Sequence, residues 1–238
     1  MTQGPDAHPQ TILLLGASRG LGAEMVAEFA KRGWNAIGTV RGSARTRLHE
    51  LAERHAGRIA VEQLDITRRD EIEALGHRLS GRRIDMLFVN AGIANTGRHN
   101  ATMAEISPEE FAEIMLTNVL GVMQAVEALQ TLVRPDGLIG VMSSGQGSIG
   151  NNTNGVNDLY RSSKAALNQL MKSYAARHAG DARPLVLMAP GWIRTDLGGP
   201  NAPVGMDEAI PEVVDVLLAQ QDKPGLRFLN RAGEPVPW

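Results

Sequence analysis

The 238-residue chain has no cysteine, which excludes disulfides and thiolate metal sites from the start. Aromatic residues are scarce, with two tyrosines, three tryptophans and four phenylalanines. A tyrosine paired with a charged neighbour therefore calls for a reason. Charge of one sign is missing too: 24 Lys and Arg stand against 26 Asp and Glu, a net charge of −2. A nucleic-acid binder would need a clustered basic surface. No uninterrupted apolar run approaches the roughly 20 residues that span a bilayer. The six histidines, at 8, 49, 55, 77, 99 and 178, show no ligand spacing, so no metal site is expected. The opening MTQGPDAHPQ lacks the apolar stretch of a secretion signal and reads as a loose tail over 1–10, ahead of a single domain over 11–238. The expectation is a cytoplasmic protein with no nucleic-acid or membrane partner.

What is present is apolar and regularly ordered. Hydrophobic residues make up 43% of the chain and charged residues 21%, enough to build a sizeable core. Short apolar runs at 11–15, 35–40, 58–64, 84–89, 138–142 and 184–188 read as buried strands. Helical patterns lie between them at 20–32, 68–80, 108–131, 157–178 and 207–220, with a charged helix face within 44–58. This alternation predicts an α/β fold, a doubly wound parallel sheet covered by helices on both faces. Within 108–131, Phe111, Ile114, Met115, Val119, Val122, Met123, Val126 and Leu129 form a broad apolar stripe. In such sheets ligands bind beyond the carboxyl ends of the strands.

The first of those ends carries GASRGLG at 16–22. Gly16 permits a tight turn, while Gly20 and Gly22 let a pyrophosphate and the following helix approach closely. The helix N-terminus offers free N–H groups to an anion. Three spaced glycines are a weak pattern alone, but their place between strand and helix makes nucleotide binding the favoured reading. At the end of the second strand stand Val40 and Arg41, with no acid before Glu50. An acid there would bind ribose hydroxyls, whereas arginine suits a 2′-phosphate. Arg41, together with Arg19 in the glycine loop, favours NADP(H) over NAD(H), although either arginine could be a solvated surface charge.

Tyr160 and Lys164 lie one helical turn apart in YRSSK. Such a pair arises often by chance, so its setting decides. The glycine loop, VNAG at 89–92, TNVLG at 117–121, VMSSG at 141–145, YRSSK at 160–164 and PGWIRTD at 190–196 follow in an order that resembles the short-chain dehydrogenase/reductase family over nearly the whole chain. The ending GEPVPW further resembles the family's C-factor/sniffer-like carbonyl-reductase branch.

The resemblance implies a seven-stranded Rossmann sheet, with 226–229 as the last strand. It implies a catalytic set of Asn118, Ser144, Tyr160 and Lys164. It also implies cofactor contacts from Gly16, Ser18, Arg19, Gly20, Leu21, Gly22 and Arg41, from Asp65 and Ile66 at the adenine, and from Asn90, Ala91 and Gly92 at the ribose. Pro190, Gly191, Ile193 and Thr195 would meet the nicotinamide end, which Tyr160 and Lys164 would also touch. Leu15 stands where the family usually has Thr, removing a side-chain hydrogen bond. The interval from Ser144 to Tyr160 is about three residues longer than usual in the family, with the extra residues placed in GNNTNG at 150–155. Ser143 and Ser144 are both open as the hydroxyl donor. Ser144, next to the small-residue turn, is preferred.

On this reading the chain is an NADP(H)-dependent reductase of aldehydes or ketones, reversible as an alcohol dehydrogenase. Alternatives are an NAD-dependent secondary-alcohol dehydrogenase and a cofactor-binding, C-factor-like signalling protein. The Lys164 ammonium is expected to lower the phenol pKa of Tyr160 into working range, and Asn118 to hold a water on the proton path. Trp192 and Met206 flank the short loop 197–205 and read either as pocket wall or as simple lid packing. A homodimer or homotetramer is expected, packed through 108–131 and 157–178, with Gly121, Ala125, Ala165 and Ala166 allowing close approach.

Overall fold

A computed structural model describes residues 9–95, 97–98 and 100–238. Residues 1–8 of the tail expected over 1–10, together with Thr96 and His99, lie outside the described residues. Seven parallel strands form one sheet: β1 (Thr11–Leu15), β2 (Asn35–Val40), β3 (Ile59–Gln63), β4 (Ile84–Val89), β5 (Val133–Met142), β6 (Pro184–Ala189) and β7 (Gly225–Asn230). Their order across the sheet is β3-β2-β1-β4-β5-β6-β7. Every residue of β4 and β6 is buried, which explains why those strands read as continuous apolar runs rather than alternating ones. β5 begins five residues earlier than its apolar run, because polar Arg134 and Asp136 lie within it.

The pleat sends alternate side chains to two cores. Ile12 and Leu14 face one layer, made by α1 (Gly20–Lys31), α2 (Arg47–Arg54) and α7 (Met206–Leu218). Leu13 and Leu15 face the other, made by α3 (Arg69–Arg78), α5 (Val122–Leu129) and α6 (Asp158–Arg177). Strand order reverses between β1 and β4, so their carboxyl ends part there and open a crevice.

The segment read as one helix over 108–131 is built in parts. α4 (Pro108–Met115) passes through a wide π turn at Leu116–Gly121 before α5 begins. Ser107 caps α4 by accepting the Glu110 amide. The wide turn re-aims the helix face, so Thr117, Asn118 and Val119 are all buried while Leu116 and Leu120 are each 47% exposed. Phe111, expected on the inward stripe, is 42% exposed. By length and composition this helical run, Pro108–Leu132, could cross a bilayer, contrary to the run-by-run reading of the sequence. Its inner face packs against the sheet and α6, as a core helix does. Gly121 and Ala125 turn inward as well. A Cβ on Gly121 would stand 2.6 Å from the Ile66 carbonyl oxygen, and Ala125 is fully buried, so neither is available to a second subunit.

Candidate active site

Past the crevice runs one cavity of about 520 Å³. Its walls include nearly every residue singled out above. From the β1–α1 loop come Gly16, Ser18, Arg19, Gly20 and Leu21; from the ends of β2 and β3 come Arg41, Asp65 and Ile66. Asn90, Ala91 and Gly92 follow β4; Ser144, Tyr160 and Lys164 come from beyond β5 and from α6; Pro190, Gly191, Ile193 and Thr195 follow β6. Gly22 and Asn118 stand behind this wall rather than in it. Trp192, Thr39, Ile93, Gln146 and Asp196 line it too.

The glycine loop is shaped by the absence of side chains. Gly16 has φ +86°, and a Cβ there would lie 2.7 Å from the Ala91 backbone. A Cβ on Gly22 would lie 2.1 Å from the Gly16 carbonyl oxygen and 2.6 Å from Asn90 Nδ2. Asn90 Nδ2 donates to that carbonyl at 2.8 Å, and the Gly16 amide donates to Thr39 Oγ1 at 2.9 Å. A hydroxyl from β2 thus holds this peptide. α1 has no side-chain cap and no acid in its first turn, which leaves its N-terminal N–H groups to an anion. This cradle fits a dinucleotide pyrophosphate.

The two arginines differ. Arg41 is exposed at the cavity rim. Burial pushes the Asp65 carboxyl up, but hydrogen bonds from Thr67, with the charges of Arg41 and Arg68, outweigh it and hold the carboxyl below its ordinary range. Arg19 pairs with Asp196 at 3.3 Å across the cleft mouth, with side chains 77% and 78% exposed.

At the other end the polar groups are buried and interlocked. Lys164 is 3% exposed. Its Nζ donates to the Met142 carbonyl at 2.9 Å and lies 5.8 Å from the centre of the Tyr160 ring. Burial lowers its pKa to about 8. The Tyr160 phenol is raised to about 12 by burial, partly offset by a hydrogen bond with Ser144. This corrects the expectation from sequence, in which lysine pulls the phenol down: desolvation dominates both groups.

The Asn118 side chain is fully engaged. Its Oδ1 accepts the Ile93 amide at 2.8 Å, and its Nδ2 donates to the Ile93 carbonyl at 2.8 Å and to Ser163 Oγ at 3.0 Å. The amide is thus engaged in bracing the loop after β4 and in holding Ser163 of α6.

The choice between the two serines rests on geometry. Ser143 is 2% exposed, and its hydroxyl donates to Asn168 Oδ1 at 2.6 Å. Ser144 lines the cavity with Tyr160, and its oxygen accepts the Gln146 amide. Asn168 and Ser163 went unnoticed in the sequence. The available signal was a polar residue beside Leu167 and Met171 on an inward helix face, where a polar group needs a partner. The segment 150–155 is an exposed turn whose Gly150 amide donates to the Trp238 carbonyl, away from the cavity wall. Among the described residues no cluster of histidine and acidic side chains could hold a metal ion.

A sheet in this order with a glycine cradle and a Ser–Tyr–Lys cluster at its switch point defines a nucleotide-dependent oxidoreductase. The short chain dehydrogenase model matches residues 10–203, and the chain belongs to that family. A short-chain dehydrogenase/reductase from Burkholderia multivorans, solved with bound NADP, is 55% identical, with a TM-score of 0.95 and coverage of 97% of this chain and 100% of that one. A carbonyl reductase from Pseudomonas aeruginosa PAO1 in complex with NADP is 33% identical, with a TM-score of 0.89 and coverage of 97% and 100%. C-signal from Myxococcus xanthus is 29% identical over 157 residues, covering 65% of this chain and 93% of that protein.

Proposed function

We propose that this oxidoreductase is an NADP(H)-dependent reductase of aldehydes or ketones, working in reverse as an alcohol dehydrogenase. The observation that carries the reading is one continuous cavity with Arg41, at a β2 end that carries no acid, on the rim at one end and Ser144 with Tyr160 at the other. The NADP-bound state of two similar structures supports it. Gly16, Ser18, Gly20 and Leu21 would hold the pyrophosphate, with Gly22 letting α1 close in. Arg41 and Arg19 would hold the 2′-phosphate, Asp65 and Ile66 the adenine, and Asn90, Ala91 and Gly92 the ribose. Pro190, Gly191, Ile193 and Thr195 would hold the nicotinamide end. The cofactor supplies the hydride.

Tyr160 supplies the proton. With its pKa raised to about 12, the phenol stays protonated at neutral pH, the form that carbonyl reduction needs. An alkoxide forming beside it is more basic still, so transfer runs downhill. Ser144, on the same cavity wall as the phenol, would donate to the substrate oxygen as charge gathers there. Lys164 would grip the ribose hydroxyls and relay the replacement proton, with a water anchored by Asn118 next in line.

Steady-state oxidation of NADPH against a panel of aldehydes and ketones tests the reading. The likeness to C-signal favours a second one, a cofactor-binding signalling protein, which predicts tight NADPH binding and no turnover with any member. Arg41→Ala should weaken NADPH about 10-fold more than NADH, and Val40→Asp should move preference further towards NADH. Equal losses for both cofactors in Arg41→Ala would contradict the 2′-phosphate contact. Phe111, Leu116, Leu120 and Leu170, all at least 40% exposed, support a homodimer or homotetramer through α4 and α6. Light scattering at micromolar concentration should show no monomer.

A further inference from the structure

Three residues on one face of α6 follow each other at one-turn intervals: Tyr160, Lys164 and Asn168. The first two serve the chemistry proposed above. Asn168 is 3% exposed and sits among apolar residues, yet both ends of its amide are engaged. Its Oδ1 accepts the Ser143 hydroxyl at 2.6 Å, and its Nδ2 donates to the Gly147 carbonyl at 3.2 Å. Between those two anchor points lie Ser144, Gly145 and Gln146.

We propose that Asn168 is a positioning residue, whose buried amide clamps both ends of the Ser143–Gly147 segment and thereby fixes where the Ser144 hydroxyl points. The proposal rests on the reading of Ser144 as the group that meets the substrate oxygen.

Three further observations support the clamp. The Ser143 amide donates to the Met188 carbonyl at 2.8 Å, so the first anchor is tied to β6 as well as α6. Gly147 must come close for the second anchor to form, because a Cβ there would lie 2.9 Å from Lys164 Cβ and 3.0 Å from Asn168 Nδ2. Lys164 Nζ takes the carbonyl of Met142. α6 therefore grips the carbonyl of Met142, the hydroxyl of Ser143 and the carbonyl of Gly147, and leaves the Ser144 side chain facing the cavity. The Ser144 oxygen in turn accepts the Gln146 amide at 3.1 Å, which orients it further. A fully satisfied buried polar network of this kind specifies one arrangement where apolar packing would permit several.

The test uses Asn168→Leu, which keeps the branched shape and removes both bonds, and Ser143→Ala, which removes one and protects against a variant that fails to fold. Hydrogen–deuterium exchange on the cofactor-free protein reads the clamp directly. The amides of Gln146, Gly147 and Ser148 should exchange at least about 10-fold faster in Asn168→Leu and less so in Ser143→Ala, with β4 and the rest of α6 unchanged. Unchanged exchange at those amides in both variants overturns the proposal.

Kinetics with NADPH and 4-nitrobenzaldehyde provide the second arm. Asn168→Leu should lower kcat about 10-fold and leave KM for NADPH within about 2-fold. In a Ser144→Ala background the same substitution should cost less than about 2-fold, since its effect passes through Ser144. An equal loss in both backgrounds overturns the proposal. If the wild type reduces neither 4-nitrobenzaldehyde nor any other panel carbonyl, the reductase reading fails, and the exchange result still decides the clamp.

Discussion

The two ends of the cavity are built on opposite principles. At the glycine loop the site is defined by what is missing: no Cβ on Gly16 or Gly22, no cap and no acid at the start of α1. Beyond β5 it is defined by what is buried, with Ser143, Asn118, Lys164 and Asn168 each at most 3% exposed and each bonded to a partner distant in sequence. Backbone donors suit a ligand whose charge is constant, such as a pyrophosphate. Moving a proton needs groups whose ionisation can be shifted, and burial does the shifting. The difference implies that single substitutions should break chemistry at one end and shape at the other.

The largest expected effect is at the side-chain end. Tyr160→Phe keeps the ring and its packing but removes the proton, so turnover should fall at least about 10²-fold with the fold and NADPH affinity retained. Near-wild-type reduction by this variant would show that the tyrosine is only a packed helix residue.

Lys164→Met should lower turnover too, and it separates function from stability. The buried ammonium has its pKa lowered from 10.5 to about 8. Between those values the unfolded chain keeps a proton that the folded chain has shed, so on this group's account stability rises with pH across that window. Below it the full cost of burying the charge applies. Lys164→Met should therefore melt higher than the wild type at neutral pH, and the gap should close as pH approaches 10.5. Tyr160 acts oppositely and higher: raised from 10.0 to about 12, it makes the folded state lose stability as pH climbs through that range. Thermal melts of cofactor-free protein across pH 7 to 11 check both signs. A lower melting temperature for Lys164→Met at pH 7 would mean that its bond to Met142 outweighs the desolvation.

At the backbone end, Gly22→Ala is the matching test. Its Cβ would sit 2.1 Å from the Gly16 carbonyl oxygen, so the loop must move. NADPH affinity should drop by about 10-fold or more, while turnover at saturating cofactor changes less. Isothermal titration beside kcat measurements separates the two. A kcat loss with unchanged affinity would erase the contrast between the ends.

The same contrast decides what could be read in the chain. The glycines, the strand–helix alternation and the Tyr160–Lys164 interval are local patterns, and each stands where it was expected. The direction of the Tyr160 shift was not legible, because burial depends on what the fold stacks around α6. The roles of Asn118 and Asn168 depend on bonds to Ile93, Ser163, Ser143 and Gly147, partners that nothing in their own neighbourhood announces. The bond from the Gly16 amide to Thr39 was hidden for a similar reason: the two residues are brought together only by the pairing of β1 with β2.

The smallest effect is expected at the mouth, where the two ends meet. Arg19 of the glycine loop reaches Asp196 of the loop after β6 at 3.3 Å, with both side chains more than three-quarters exposed. An exposed pair of this kind is worth about 0–1 kcal/mol, so it can bias the cleft but not hold it shut. If Arg19 also meets the 2′-phosphate, Asp196 competes with that phosphate for the same guanidinium. Asp196→Asn should then tighten NADPH by about 2- to 3-fold, leave NADH unchanged, and lose its effect as ionic strength rises. Arg19→Gln should weaken NADPH by a similar factor and make the Asp196 substitution silent. Identical gains for both cofactors in Asp196→Asn would place the effect in the loop itself, and Arg41 alone would then carry the preference.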